Sequence, residues 1–209
     1  MRTLLAKIRR RILSDIKLIM GGVKIIGLNR FSLLGQLIVN GVGNVIEVHS
    51  SLPKSVKLHF YGNNHHLIID KGVVFRQGVI WFEDNGCEMR IGSKTTIMDA
   101  HLAVVEDNRK LIIGKDCMLS SGIYISTTDS HSIIDIESGK RTNPSADIVI
   151  GNHVWVGRNV TIRKGCTIGC NSIIGGNTVV TKDAPANAII VGIPGRVVKT
   201  GCTWNRTRL

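Results

Sequence analysis

The sequence predicts an all-β solenoid, a chain wound into successive coils of short parallel strands. Three observations carry that expectation. From Ile150 an aliphatic residue returns at every sixth position, through Val156, Ile162, Ile168 and Ile174 to Val180. Upstream, Ile69, Ile91 and Ile113 recur at intervals of 22 residues. The composition, 43% hydrophobic but only 4% aromatic with 23 glycines, suits a narrow core of small and branched aliphatics. Short fixed periods of this kind are the mark of repeat architectures.

The hexapeptides explain themselves residue by residue. Four places after the first five aliphatics stand Val154, Val160, Cys166, Ser172 and Thr178, all small or β-branched. In the third place after an aliphatic stand Asn159, Gly165, Asn171 and Asn177. Asn and Gly adopt left-handed backbone angles at little cost, so each hexapeptide reads as a short strand and a tight turn. Three hexapeptides close one triangular coil. The 22-residue beat is one such coil plus about four residues, read as a bulged corner. Inside it the sixfold spacing persists as Ile69, Phe75, Trp81; Ile91, Ile97, Ala103; and Ile113, Leu119, Ile125.

The chain then divides into parts. Over residues 1–30, Leu4, Leu5, Ile8, Ile12, Ile16, Ile19 and Met20 follow helical spacing among basic residues. This predicts a basic amphipathic helix, with two roles open: capping the end of the coil, or touching an anionic membrane surface. The solenoid is expected over 31–200, beginning with an irregular coil around VIEVHS and VKLHFYG. The step from Ile113 to Ile150 is 37 residues, fifteen beyond the beat, which places an insertion at 129–147. A loop of that length on a compact coil is usually functional or disordered. Residues 201–209 form a basic tail.

The formal charge is +12, and the first thirty residues supply about +7 of it. Such a balance attracts polyanions, membrane surfaces or phosphorylated ligands without choosing among them. Nucleic-acid binding is not expected, because the excess is concentrated at one end and no recognition module accompanies it. The five cysteines are odd in number and lack C-x-x-C pairing, which predicts reduced thiols in a cytoplasmic protein and no metal site. No run approaches the about 18 apolar residues of a spanning helix. Basic residues also interrupt the apolar N-terminus, unlike a secretory signal.

Three segments together carry a resemblance: IGKDCMLSSGIYISTTDSHSI, DIVIGNHVWVGRNVTIRKG and VVTKDAPANAIIVGIPGRVVK. They resemble the hexapeptide-repeat acyltransferases, and among them the O-acetyltransferases of capsular and O-antigen polysaccharides. The resemblance is close over 111–204 and architectural before that. It implies a left-handed parallel β-helix, a homotrimer, acetyl-CoA lying between neighbouring subunits and a glycan acceptor. Expected location is the cytoplasm, with peripheral contact to the membrane's inner face as an option.

Transfer of an acetyl group from a thioester to a sugar hydroxyl needs a general base, donors for the oxyanion and cations or amides for the CoA phosphates. His131 stands where the next hexapeptide would begin, and the resemblance makes it the base. Asp129 or Asp135 is available to orient its ring, or is simply a solvated loop carboxylate. Trp155 follows the inward Val154 and so points outward; the resemblance sets it beside the thioester, with subunit packing as the other reading. Gly157, Gly176 and Thr181 would line the pantetheine groove, and Lys182, Arg196 and Lys199 match residues near the CoA phosphates. Asn177 and Gly195 depart from the family pattern in that groove. Asp129 and Asn143 are candidates for touching the acceptor, Asn143 equally for a turn. Zinc carbonic anhydrases share this kind of coil, but Ile136 stands where a second corner histidine would be needed. A small acceptor (simple sugar, nucleotide sugar, serine or antibiotic) and a non-catalytic scaffold are the rival readings.

Overall fold

The computed structural model describes residues 18–20, 22–27 and 36–208. Every regular element among them is a strand, and the strands stack coil upon coil in three columns. In the first, Val48, Ile69, Ile91, Ile113, Ile150 and Ile168 are successive parallel partners. None of these is more than 2% exposed. The step from Ile113 to Ile150 thus keeps the register and expels the insertion. The second column runs Phe75, Ile97, Leu119, Val156, Ile174, Ile190. The third runs Leu58, Ile80, Leu102, Ile125, Ile162, Val180. Aliphatic side chains from all three meet in one continuous core. Parallel strands buried on the inner face read as aliphatic-rich, as these do.

The turns fall where the Asn and Gly residues predicted them. Asn159, Gly165, Asn171 and Asn177 have φ of 56°, 75°, 64° and 60°. The bulged corners of the longer coils are also present, at Asp84 and Gly86 in one coil and Glu106 and Asn108 in the next, all with positive φ.

Two boundaries differ from expectation. Ile125 stacks on Leu102 and Ile80, not on Ala103 and Trp81, because only five residues separate Phe75 from Ile80. Strand Val74–Phe82 runs through the corner unbroken, bending at Gly78, where a Cβ would collide with the Ala100 carbonyl oxygen. Trp81 therefore turns outward. The second difference lies in the first thirty residues. Residues 1–17, most of the expected helix, fall outside the described residues. Leu18–Met20 and Val23–Gly27, however, form an antiparallel pair, and Val23–Gly27 adds in parallel to Asn44–Val48. The solenoid thus reaches back into the segment assigned to the helix: an open strand edge that can bury Val23 and Ile25 outweighs helical spacing.

The C-terminal tail is a clasp. Strands Ala188–Gly192 and Gly195–Thr200 form a hairpin, after which the chain doubles back over the coils. Trp204 is 8% exposed and stacks on His153, with ring centroids 4.2 Å apart. Its indole N–H donates to the His153 carbonyl at 2.7 Å. Arg206 reaches Asp116, Thr96 and the Cys117 carbonyl.

Candidate active site

The insertion is a small hairpin anchored at both ends. Strand Ile123–Ser126 enters it, and Thr127 exchanges hydrogen bonds with the Val105 backbone in both directions. Ser130 then adopts a φ of 71°. A non-glycine residue at such an angle costs of order 1 kcal/mol and persists only where its surroundings hold it. His131 follows, exposed at the mouth of a cavity of about 490 Å³. Trp81, His101 and Tyr124 form one wall of this cavity, and Glu106 and Arg141 form another part of its lining.

Two residues hold His131 in place. Asn143 is 8% exposed and uses its whole amide. Its Oδ1 accepts from the Ile133 N–H and Arg141 Nε. Its Nδ2 donates to the His131 carbonyl at 2.9 Å and to Asp129 Oδ2. Asn143 thus braces the loop from within. Asp129 is likewise occupied, accepting Lys164 Nζ at 2.6 Å. The hydrogen bonds from Lys164 and then Asn143 hold its carboxyl below the ordinary range. Asp135 caps a turn through Ser138. Neither carboxylate meets the His131 ring.

The second holder, Glu106, lies on the bulged corner of the preceding coil. It accepts two hydrogen bonds from Arg141 and one from Thr128 Oγ1 at 2.6 Å. Thr128 Oγ1 in turn accepts from the Ser130 N–H. One carboxylate therefore grips the chain on both sides of His131. The Arg141 hydrogen bonds hold Glu106 down at about 2, so it is ionised throughout the working range. Burial pushes the thiols of Cys87, Cys117 and Cys166 up to about 11, which leaves them as core groups and not nucleophiles.

The remaining candidates lie elsewhere. Trp155, 39% exposed, projects from the second column, whereas His131 follows the third. The ring of Trp204 lies 6.3 Å from that of Trp155. Gly157 and Gly176 back onto one another in adjacent coils: a Cβ on Gly157 would sit 2.6 Å from the Gly176 amide nitrogen. Coil stacking alone thus demands glycine at 157. Lys182 and Arg196 share a cavity of about 230 Å³ whose lining includes Gly195. A Cβ on Gly195 would approach Thr178 Cγ2 to 3.0 Å, so a larger residue there would require the Thr178 side chain to shift by a few tenths of an ångström. Lys199 is exposed on the same hairpin, and Thr181 is exposed just before Lys182.

Comparison with known proteins bears on this arrangement. The family model described as bacterial transferase hexapeptide (six repeats) matches residues 147–182. The chain is 40% identical over 131 residues to the polysialic acid O-acetyltransferase of Neisseria meningitidis, covering 62% of this chain and 60% of that protein. It is 39% identical over 122 residues to the enzyme of that name from Escherichia coli O1:K1 / APEC, covering 58% of this chain and 39% of that one. It thus spans less than two thirds of either curated relative. The solved structure of the polySia specific acetyltransferase NeuO superposes with a TM-score of 0.77 at 32% identity, covering 89% of this chain and 86% of that one. The chain belongs to the hexapeptide-repeat transferases. A galactoside acetyltransferase solved with coenzyme A shares the fold at a TM-score of 0.50 and 29% identity, over 64% of each chain.

Several residues of the candidate site in this hexapeptide transferase escaped sequence reasoning. Glu106 and Arg141 are 35 residues apart, and only the expulsion of the insertion brings them together. Trp81 was hidden by the assumption of an unbroken sixfold beat. A retrievable signal existed: Glu106 and Asp84 both occupy the bulged corner, 22 residues apart.

Proposed function

We propose that this chain is an O-acetyltransferase that moves an acetyl group from acetyl-CoA to a hydroxyl of a bacterial surface polysaccharide or its precursor. The observation that carries the reading is the placement of His131. The insertion presents an imidazole at the mouth of an aromatic and polar cavity, braced from both sides by Glu106 and Asn143. Kinship to polysialic acid O-acetyltransferases supports the substrate class.

In this reaction His131 takes the proton of the acceptor hydroxyl as that oxygen attacks the thioester carbonyl. It returns the proton to the CoA sulfur as the C–S bond breaks, so no covalent enzyme intermediate is needed. Lys182, Arg196 and Lys199 supply positive charge for the CoA phosphates, with Lys182 and Arg196 converging on one pocket.

The site is proposed to be completed in a homotrimer. His131 follows the third column of one coil and Trp155 projects from the second column of the next, so a thioester beside both calls for a second chain. Ile133, Ile134 and Ile136 on the inserted hairpin are 60%, 51% and 97% exposed, an apolar tip suited to a neighbouring subunit. The basic first thirty residues support peripheral contact with the inner membrane face, where lipid-linked acceptors would be met.

The test is transfer of an isotopically labelled acetyl group from acetyl-CoA to a purified surface glycan. Label on the glycan with wild-type protein, and none with His131→Ala, is the expected result. Labelled glycan from both proteins would remove His131 from the chemistry.

A further inference from the structure

The chain holds two tyrosines and three tryptophans, and 4% aromatic residues in all. Both tyrosines and one tryptophan point outward from the same face. Tyr61, Trp81 and Tyr124 lie on strands Val56–Tyr61, Val74–Phe82 and Ile123–Ser126, which are linked through the parallel strand Thr96–Val104. Two histidines fill the gaps. His59 is the direct partner of Trp81, and His101 that of Tyr124. Ring centroids are 4.9 Å apart for Tyr61 and Trp81, 5.2 Å for His59 and Trp81, and 5.4 Å for the stacked His101 and Tyr124.

The run ends at the active site. Trp81, His101 and Tyr124 line the same cavity as His131. Between Trp81 and that histidine the floor is made by Ala103 and Ser126, the next partners in Trp81's own row. Small residues between large rings leave a trough rather than a ridge. Three strand spacings of roughly 4.8 Å separate its ends, about 14 Å in all.

The charge of the trough is informative. Among the described residues the cavity's carboxylates are Glu83, Asp84 and Glu106, against the single guanidinium of Arg141. Glu106 and Arg141 neutralise one another in their bidentate pair, which leaves the two other carboxylates. Burial lowers the pKa of both His59 and His101, so neither ring adds a positive charge near neutral pH. Lys57, whose charge also depresses His59, flanks the far end. Rings that offer flat apolar faces, edged by acceptors and without a free cation among the described residues of the cavity, suit the C–H faces and hydroxyls of uncharged sugars. They do not suit a segment with a carboxylate on every unit.

We propose that Tyr61, His59, Trp81, His101 and Tyr124 form an extended glycan-binding track that feeds His131, and that it takes a run of about three uncharged sugar units of the acceptor. The inference rests on the transferase reading for the direction of the track, and goes beyond it in naming the acceptor's length and charge.

The experiment has two arms. In the first, binding of a neutral maltooligosaccharide series and of sialic acid oligomers of matched length is measured by calorimetry without acetyl-CoA. In the second, the same compounds serve as acceptors and free thiol is followed. Affinity for the neutral series should rise with length up to about a trisaccharide, and exceed that for the sialic acid series. Tyr61→Ala and Trp81→Ala should each weaken the longest neutral ligand by about tenfold, equivalent to one aromatic platform. Trp81→Phe should restore most of the loss, which separates a stacking role from misfolding. Tighter binding of the sialic acid series, or length dependence untouched by both alanine variants, would overturn the proposal. So would a drop in oligomeric mass of folded Tyr61→Ala, which would make this face a contact with a second copy. Length-dependent binding without any thiol release would uphold the track and count against the transferase reading instead.

Discussion

Glu106 and Arg141 face each other in a bidentate pair, with Nη1 2.7 Å from Oε2 and Nη2 2.6 Å from Oε1. The pair ties the returning limb of the insertion to the preceding coil, while Thr128 ties the outgoing limb to the same carboxylate. His131 sits between the two limbs. Planar guanidinium and carboxylate groups match in this geometry, which a lysine could not reproduce.

Glu106→Ala should therefore lower kcat by tenfold or more, as expected for about 1.4 kcal/mol of lost positioning. Its cost to global stability should be smaller, about 1 kcal/mol, since the pair is partly exposed. Arg141→Lys should give most of the same defect. A thermal melt beside a kcat and KM determination checks both. The sign of the pH effect follows from the depressed pKa. The pair's contribution is complete above the ordinary carboxylate range and is lost as pH falls through it toward about 2. Stability of the wild type should fall more steeply over that acid range than that of Glu106→Gln.

The proposed sharing of the site between subunits makes a prediction that one chain alone cannot satisfy. His131→Ala and Trp155→Ala homo-oligomers should each be weak. Refolding the two together should restore activity, because some interfaces then combine an intact His131 with an intact Trp155. Activity of the mixture no greater than the sum of its parts would place both residues in one chain's own site.

The C-terminal clasp should matter for stability first. Trp204 is nearly buried between His153 and the solenoid, and its N–H is satisfied. Trp204→Ala should cost about 3 kcal/mol, at the lower end for removing a buried indole. The melting temperature reads this directly. If Trp155 depends on Trp204 for its orientation, KM for acetyl-CoA should rise in the same variant, whereas a loss of stability with unchanged KM would limit Trp204 to the clasp.

How much of this was legible in the sequence depends on how local the cause is. Ile69, Ile91, Ile113 and Ile150 gave the first column and the insertion at once, because a register kept by strand pairing leaves its period in the chain. Asn159 and Asn177 were readable as turns because a left-handed angle selects its residue locally. Trp81 was not readable, because its direction depends on one residue fewer at a corner, which shifts the rest of that strand's side chains to the opposite face. Val23–Gly27 shows the same limit: placed within the 1–30 helical segment, it instead pairs with a strand edge that only the folded coil provides. Within the site, His131 stood out as the break in the repeat. Asn143 could be read from the sequence as an acceptor contact or a turn, and its four hydrogen bonds, all to groups distant along the chain or within the loop, were not legible there. Glu106 and Arg141 carry no motif, since their meeting is a property of the fold.

The measurement that bears most directly on the central claim is acetyl-CoA turnover, followed as free thiol, with and without a panel of surface glycans and small acceptors. Wild-type protein should release thiol in an acceptor-dependent way. His131→Ala should bind acetyl-CoA normally and lose about 10²- to 10⁴-fold in rate, the contribution of a positioned general base. Undiminished turnover in His131→Ala, or no binding of acetyl-CoA by the wild type, would contradict the account.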